Sequence, residues 1–300
     1  MVPVCPSESR NREGVPTEVP RKYEKYGHVL IIQSNGQEIT EDIACLLAKR
    51  HRIDVIISSA PSAGELRVPE QARILWKRCD DDKKNETLVQ HRESGITYCF
   101  DPLQVMFSSG NVNERSRFGS VVTGENEFVL DMFAGIGYFS LPLATNRLSR
   151  KSAKKRTPTR PSFLVAIEKN TDSFNFLSLN FSRYKQTACP HKLVNGDNRD
   201  VGDEYIGKCD RILMGYLPET KQFIPRALEF AKKRDTIDET KPRAILHYHF
   251  IFHKDEVPAD AVARDFVESS KSVRFVVHAV RRIKSYTKNR YHGVADVHLL

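Results

Sequence analysis

The chain has 300 residues, a formal net charge of +9 at pH 7, and six cysteines without CxxC pairs or metal-ligand spacing. The length suits one large domain or two modest ones, and the positive charge favours an anionic partner such as nucleic acid, although charge alone only biases association. The cysteines predict reduced thiols and no metal site, and the lack of a signal peptide or a bilayer-spanning apolar run predicts a cytoplasmic protein without a membrane partner.

The first third of the chain predicts a small domain behind a loose tail. Residues 1–22 are rich in Pro, Arg, Glu and Ser, and this composition predicts a disordered tail. Residues 23–101 contain the strand patterns "HVLIIQ", "RIDVIISS" and "GITYCF" and the amphipathic helix pattern "EITEDIACLLAKRH", which together predict a small N-terminal α/β domain. The polar, helix-compatible segment 102–120 is interpreted as a connector.

The rest of the chain, residues 121–300, predicts a second and larger α/β domain. Its strand patterns "EFVLDMF", "SFLVAIE", "HKLVNGD" and "CDRILMGYL" alternate with the helix patterns "YFSLPLA" and "NTDSFNFLSLNFSRY", as a doubly wound, Rossmann-like sheet requires. The basic stretch 146–161, "NRLSRKSAKKRTPTRP", interrupts this alternation. It is either a solvated surface insertion or a loop that contacts RNA.

A glycine-rich turn follows the first strand of this second domain in "VLDMFAGIGYFSLPLA". An apolar run that reaches Asp131 and breaks at Gly135 and Gly137 is typical of a strand whose end opens into a ligand crevice. The missing Lys-Ser/Thr pair argues against a phosphate-binding P-loop. The missing third glycine of G-x-G-x-x-G favours S-adenosylmethionine over NAD.

Polar residues also stand at the ends of the next two predicted strands. Glu168 is placed to accept both hydroxyls of a ribose, although alone it would be read as an ordinary exposed carboxylate. Asp197 and Asn198 have the groups to pair with the amine and ring edge of an adenine, and Ile136 and Phe139 could supply apolar walls. Three strand ends in register therefore predict a nucleoside-containing cofactor, S-adenosylmethionine.

Eight stretches in order carry a family resemblance that covers about residues 23–300: "KYEKYGHVLII", "GELRVPEQARIL", "HRESGITYCFD", "MFSSGNVNERSRF", "DMFAGIGYFSLP", "LMGYLPET", "ILHYH" and "IKSYTKNRYHGVADV". The sequence resembles the class I tRNA guanine N1-methyltransferases and their relative, the wybutosine-synthesis tRNA aminocarboxypropyltransferase. This resemblance implies a small α/β domain followed by a Rossmann-like S-adenosylmethionine-binding domain. It also implies tRNA(Phe) as partner and the other wybutosine-pathway enzymes as further candidate partners.

The stretch Met214-Gly215-Tyr216-Leu217-Pro218 separates the two relatives. The N1-methyltransferases resemble one another in Asn-Leu-Pro at this strand end, whereas "MGYLP" and "MFSSGN" are similar to the aminocarboxypropyltransferase. The resemblance therefore implies transfer of the 3-amino-3-carboxypropyl group to C7 of 4-demethylwyosine, 3′ of the anticodon. N1-methylation of guanosine, a noncatalytic tRNA-binding relative and a small-molecule methyltransferase stay open as alternatives.

The resemblance also implies which residues bind the cofactor. Arg115 stands where the transferases often have Lys, so its detailed contact is open, because a planar guanidinium is not a point charge. No catalytic residue is assigned: His247 and His249 are candidates, although histidines beside a strand are more often structural. The implied cofactor-binding or turn-shaping residues are Ser108, Arg115, Asp131, Phe133, Gly135, Gly137, Glu168, Asp197, Asn198 and Gly215.

A basic stretch near the C-terminus, "RRIKSYTKNR", is a candidate for contacts with tRNA. We expect binding to be largely electrostatic and to weaken steeply as salt rises. The alternative is that the stretch is an ordinary solvated edge. The basic residues named for this role are Arg281, Arg282, Lys284 and Lys288.

Overall fold

A computed structural model describes residues 22–33, 39–59, 64–78, 86–121, 123, 126–146, 160–233 and 242–300. The predicted tail up to residue 21, and residues 147–159 of the basic insertion, lie outside the described residues. The chain divides into two compact units, of which unit 1 takes in Met1–His91 and Thr97–Phe107 and unit 2 takes in Arg92–Ile96 and Ser108–Leu300. The predicted domain bounds 23–101, 102–120 and 121–300 stay a prediction.

Unit 1 is a small α/β unit whose elements are, in chain order, β1 (Tyr23–Tyr26), β2 (Val29–Gln33), α1 (Glu41–His51), β3 (Val55–Ser59) and β4 (Arg73–Lys77). The strands form one sheet in the order β1-β2-β3-β4, and α1 connects the parallel pair β2 and β3. The side chain of Thr40 caps α1 by accepting a hydrogen bond from the Ile43 backbone N–H. Leu30, Leu47 and Ile56 form its core, so the predicted strand–helix–strand order is confirmed.

The next two strands, β5 (Val89–Glu93) and β6 (Ile96–Phe100), form a separate two-stranded sheet. The "GITYCF" pattern predicts β6, whereas no pattern identified β4 or β5. Most of β4 is exposed or half-buried, so it lacks the apolar alternation that marks a strand in a sequence.

Unit 2 is built on a seven-stranded sheet, and helices connect most of its successive strands. Its elements are α2 (Val112–Phe118), β7 (Phe128–Asp131), α3 (Ser140–Thr145), β8 (Phe163–Glu168), α4 (Thr171–Ser182), β9 (His191–Asn195), β10 (Arg211–Met214), α5 (Ile224–Phe230), β11 (Ala244–His253), α6 (Pro258–Ser269), β12 (Phe275–Thr287) and β13 (Arg290–Leu299).

The strand order β12-β13-β11-β10-β7-β8-β9 places the chain reversal between β7 and β10. Every neighbouring pair is parallel except the two pairs that contain β13. In such a sheet, ligands bind outside the carboxyl ends of the strands where the order reverses. The topology therefore points to the ends of β7 and β10, and the predicted α/β, Rossmann-like fold is confirmed.

The central strands are buried on both faces, which explains their continuous apolar sequences. Val129, Val165 and Ile212 have no exposed surface, as expected for parallel strands covered by helices on both sides. Helix α4 begins where the Asn170 side chain accepts hydrogen bonds from the backbone N–H groups of Asp172 and Ser173. Because β7, β8, β9 and β10 run parallel, the loops that follow them lie at the same edge of the sheet.

Strand β11 and the β12–β13 hairpin extend well past the other strands at this edge. Met214, the last residue of β10, is level with Tyr248, and β11 continues for five residues to His253. At about 3.3 Å per residue, this extension measures roughly 17 Å. The sequence pattern predicts a basic stretch at residues 281–290 but does not predict a hairpin there. Across the described ranges, no helix combines the length and apolarity needed to cross a membrane.

Candidate cofactor site

The glycine-rich turn after β7 has the conformation that its glycines predict. Gly135 and Gly137 have φ values of +56° and +98°, in the left-handed region that favours glycine. A Cβ atom on Gly137 would lie 3.3 Å from Leu177 and 3.5 Å from Phe181, both on α4. The turn is therefore glycine-rich for two reasons: its backbone is left-handed, and it packs closely against the next helix.

Glu168 at the end of β8 closes this turn from the opposite side. Its Oε2 atom accepts a hydrogen bond of 2.7 Å from the Gly135 N–H, and its Oε1 atom accepts one of 2.8 Å from the Asn170 N–H. Burial raises the pKa of the Glu168 carboxyl, and these backbone hydrogen bonds only partly offset the effect. The ends of β7 and β8 are thus joined through a carboxylate, each of whose oxygens keeps further acceptor capacity.

Asp131, the last residue of β7, lies completely buried beneath the turn. Its Oδ1 atom accepts a hydrogen bond from the Phe133 N–H, whereas Oδ2 has no well-aligned hydrogen-bond partner among the described residues. Burial raises the pKa of this carboxyl to about 7. Ser140, whose side chain and backbone N–H lie against this carboxyl, offsets part of the rise.

The loop after β9 contributes two side chains of different character. Both Asp197 oxygens contact cations, since Arg199 binds this carboxylate through its backbone N–H and guanidinium, and the Lys169 ammonium lies 2.9 Å from Oδ2. Hydrogen bonds from Arg199 lower the pKa of Asp197 well below its usual range. Asn198 donates from Nδ2 to the Met132 carbonyl, while its buried Oδ1 atom lacks a hydrogen bond from any described residue.

An aromatic cluster that no sequence pattern identified lies at the ends of β7 and β10. Phe133 stacks on Tyr216 with ring centroids 5.1 Å apart, and Phe223 meets both rings edge-on. Beside it, a Cβ atom on Gly215 would lie only 2.8 Å from the Phe139 ring. A side chain at position 215 would therefore require the Phe139 ring to shift.

Ser108 and Arg115 belong to a second group of contacts. The Arg115 side chain is 1% exposed and forms two hydrogen bonds, of 2.5 and 2.8 Å, with the Glu93 carboxylate. Its third donor binds the Ser108 carbonyl at 2.7 Å, and the Ser108 hydroxyl lies 2.8 Å from the Lys284 ammonium. The structure thus assigns the Arg115 charge to an internal ion pair, and its contact with a cofactor stays a prediction.

His247 is held by charged groups on both ring nitrogens. Nδ1 lies 2.6 Å from Asp296 Oδ1, and Nε2 lies 2.6 Å from an Arg211 nitrogen that can only donate. Nδ1 therefore carries the ring proton and Nε2 accepts from Arg211. Burial lowers the pKa of His247 to about 4, so the ring is neutral and its accepting nitrogen is already occupied. This environment supports a structural role for His247.

His247 belongs to a larger charged network that attaches α2 to the sheet. Arg211 also binds Glu127, and Asp296 receives two hydrogen bonds, of 2.7 and 2.6 Å, from Arg281. We call this group the charged network; its members are Glu127, Arg211, His247, Asp296, Arg281, Glu114 and Arg117.

His249 is not a member of the charged network, and its ring packs against the ring of Phe139. Its Nδ1 atom is 3.0 Å from His292 Nε2, and its ring centroid is 5.0 Å from that of Phe139. Burial lowers the pKa of His249 to about 3. His249 thus supports the aromatic ring that packs against Gly215. Across the described ranges, no group of three or more His, Cys, Asp or Glu could hold a metal ion.

Residues 89–278 match the model of the TRM5/TYW2 methyltransferase domain. The chain belongs to this TRM5/TYW2 family.

Relatives within the TRM5/TYW2 family span almost the whole chain. The tRNA(Phe) (4-demethylwyosine(37)-C(7)) aminocarboxypropyltransferase of Methanocaldococcus jannaschii is 31% identical over 278 residues, which cover 92% of this chain and 96% of that protein. Pyrococcus horikoshii TYW2 in complex with MeSAdo superposes with a TM-score of 0.71 at 28% identity, covering 94% of this chain and 92% of that one. M. jannaschii TYW2 in complex with AdoMet superposes with a TM-score of 0.63 at 27% identity, covering 93% and 100%.

Proposed function

We propose that this protein transfers the 3-amino-3-carboxypropyl group of S-adenosylmethionine to C7 of 4-demethylwyosine, 3′ of the anticodon in tRNA(Phe). The observation that carries the proposal is the 31% identity to an aminocarboxypropyltransferase across nearly the full length of both chains. The other wybutosine-pathway enzymes have to supply the tricyclic base, and the sequence favours the cytoplasm as the place of reaction.

The strand-end residues fit the proposed cofactor. Glu168 already accepts from the Gly135 turn and keeps acceptor capacity for ribose hydroxyls. Asp131 shapes the turn through the Phe133 N–H, and Asn198 Oδ1 is a buried oxygen that accepts from no described residue, which suits a site that a polar molecule completes. Ser108, Arg115, Phe133, Gly137, Asp197 and Gly215 complete the proposed set, with Arg115 acting by fixing the Ser108 backbone.

Alignment decides the product of this reaction. The S-adenosylmethionine sulfonium activates three attached carbons. C7 of the base forms a bond to the γ-carbon of the carboxypropyl arm, the bond from that carbon to sulfur breaks to leave 5′-methylthioadenosine, and C7 then loses its proton to solvent. The protein selects among these carbons by which one it holds in line with the base. Gly215 and Phe139 pack so closely that a side chain at 215 would require the ring to move, and Tyr216 stands before Leu217-Pro218 where the N1-methyltransferase pattern has Asn. This difference at the end of β10 supports carboxypropyl transfer over methyl transfer.

The decisive experiment follows two labels. The protein is given tRNA carrying 4-demethylwyosine and S-adenosylmethionine labelled either in the methyl or in the carboxyl group. Carboxyl label is expected in the tRNA, and methyl label is expected in 5′-methylthioadenosine. Transcript tRNA with unmodified guanosine serves as the control and should stay unlabelled. Methyl label in RNA, with S-adenosylhomocysteine as coproduct, would instead establish N1-methylation.

A further inference from the structure

The β12–β13 hairpin has an unusual charge composition. Between Glu268 and Asp296 the sequence contains no Asp or Glu, and within the hairpin five Lys or Arg residues fall from Arg281 to Arg290. A run of one sign on a single hairpin produces a local positive potential, unlike the mixed charges of an ordinary solvated surface.

Register places this positive charge at the same edge of the sheet as the candidate cofactor site. β12 runs parallel to β11, because both are antiparallel to β13, so its C-terminal end lies at the carboxyl edge of the sheet. Arg282 pairs with Gly293, which in turn pairs with Phe250, two residues past the level where β10 ends. The basic residues from Arg282 to Arg290 therefore stand on the roughly 17 Å extension beyond the strand ends.

Contacts divide the basic residues of the hairpin into two classes. Arg281 is bound by Asp296 and Glu114, and Lys284 lies against the Ser108 hydroxyl and covers Gly110. These two charges serve internal contacts. Three other basic residues in the hairpin are exposed, and they are Arg282, Lys288 and Arg290.

The exposed part of the hairpin also presents flat groups on which bases can stack. The Arg282 guanidinium lies 4.5 Å above the Tyr291 ring, and Tyr286, four residues further along β12, is 38% exposed. Unpaired RNA bases stack on aromatic rings and guanidinium planes, whereas duplex RNA offers mainly its backbone. The combination of positive charge and planar groups suits an RNA loop better than an A-form duplex.

We infer that the hairpin tip, defined as Arg282, Tyr286, Lys288 and Arg290, is the surface that binds the anticodon loop of the substrate tRNA. The inference rests on the proposed function for the identity of the RNA. Phosphates contact the three cations, and an unpaired base stacks on Tyr286 while the neighbouring modified base enters the site at the strand ends. Arg281 and Lys284, named with these residues from the sequence, are assigned to contacts within unit 2.

The first test compares two triple variants of the full chain in binding to tRNA(Phe) transcript over a salt series. One carries Arg282→Gln, Lys288→Gln and Arg290→Gln. The matched control carries Lys185→Gln, Lys192→Gln and Lys208→Gln, three exposed charges near the amino ends of β9 and β10. The tip variant should bind tRNA at least about tenfold more weakly. The slope of the logarithm of its association constant against the logarithm of the salt concentration should be shallower by about two to three. The control should bind like the unaltered protein.

The second test separates loop binding from general attraction to polyanions. Tyr286→Ala should weaken binding to an anticodon stem-loop by about fivefold or more, and should leave binding to an RNA duplex of equal length unchanged. Equal losses for stem-loop and duplex would overturn recognition of the loop. Calorimetry with S-adenosylmethionine should give unchanged cofactor affinity in all variants.

The outcomes for the hairpin and for the reaction are distinguishable. Unchanged tRNA affinity of the tip variant, an equal loss in the control, or no binding of tRNA by the unaltered protein would each overturn the hairpin assignment. If binding depends on the tip but carboxyl label never enters the tRNA, the interface stands and the proposed function fails. If label enters the tRNA while the tip variant binds normally, the function stands and the interface is wrong.

Discussion

Two carboxylates beside the glycine-rich turn, Glu168 and Asp131, are stabilised in the opposite way to Asp296 of the charged network. Glu168 and Asp131 accept hydrogen bonds from backbone N–H groups, and burial raises the pKa of both. Burial would also raise the pKa of Asp296, but hydrogen bonds from His247 and Arg281 outweigh it and hold that pKa far below its usual range. The cation-paired Asp296 fixes the architecture, while Glu168, which accepts from backbone groups, keeps capacity for a ligand.

The largest expected effect is the loss of stability in Asp296→Ala. This change leaves Arg281 and His247 without their shared acceptor; breaking a buried ion pair from one side costs about 3–5 kcal/mol, and because Arg281 and Asp296 are half-buried the loss should lie near the lower end of that range. Urea unfolding should show this loss in the free energy of unfolding. The exposed carboxylate Asp255 gives the matched control, and Asp255→Ala should change stability little. A loss below about 1 kcal/mol for Asp296→Ala would contradict a structural role for the network.

Glu168→Ala should instead act on the ligand. Removing a charged acceptor should weaken S-adenosylmethionine binding by roughly 1.5–3 kcal/mol. Calorimetry on the folded variant measures this change, and Glu204→Ala, outside the proposed site, should bind normally. Unchanged cofactor affinity in folded Glu168→Ala would rule out the ribose assignment.

Asp131 predicts a dependence of stability on pH that has the opposite sign to that of a salt-bridged acid. Its folded pKa of about 7 exceeds the ordinary value near 4, so the folded state binds this proton more tightly. The stabilising contribution is complete below about pH 4 and is lost as the pH rises through 7. As the pH rises from 5 to 8, the free energy of unfolding of Asp131→Asn should fall by on the order of 2 kcal/mol less than that of the unaltered protein. Urea unfolding measures this quantity, and an equal change with pH in the free energy of unfolding of the two proteins would refute the raised pKa.

Lys169→Gln should have the smallest effect. Lys169 is exposed and shares Asp197 with Arg199, so the remaining guanidinium keeps the carboxylate paired. An exposed ion pair contributes about 0–1 kcal/mol, and both stability and cofactor affinity should change by no more than that. Calorimetry and urea unfolding check the two quantities. A tenfold loss of cofactor affinity would show that Lys169 itself contacts the ligand.

Local patterns in the sequence predicted the parts of the fold that depend on short-range chemistry. Apolar runs located β7, β8 and β10, and the turn glycines marked the edge where Glu168 and Asp197 meet. The pairing of Arg115 with Glu93 and of His247 with Asp296 could not be predicted, because these partners are brought together only by the folded sheet. For the same reason, the sequence predicts tRNA contacts for both Arg281 and Arg282, which are adjacent in the chain but have different surroundings in the folded protein.

Strand β12 has a further consequence for the behaviour of the protein in solution. It is a 13-residue strand at the edge of the described sheet, and a long flat edge of this kind would offer its backbone to a strand of another molecule. Three register shifts against β13, at Val277/Ala279, Arg282/Lys284 and Ser285/Thr287, distort the strand. Irregular geometry and repeated like charge therefore make β12 a poor template for edge-to-edge aggregation.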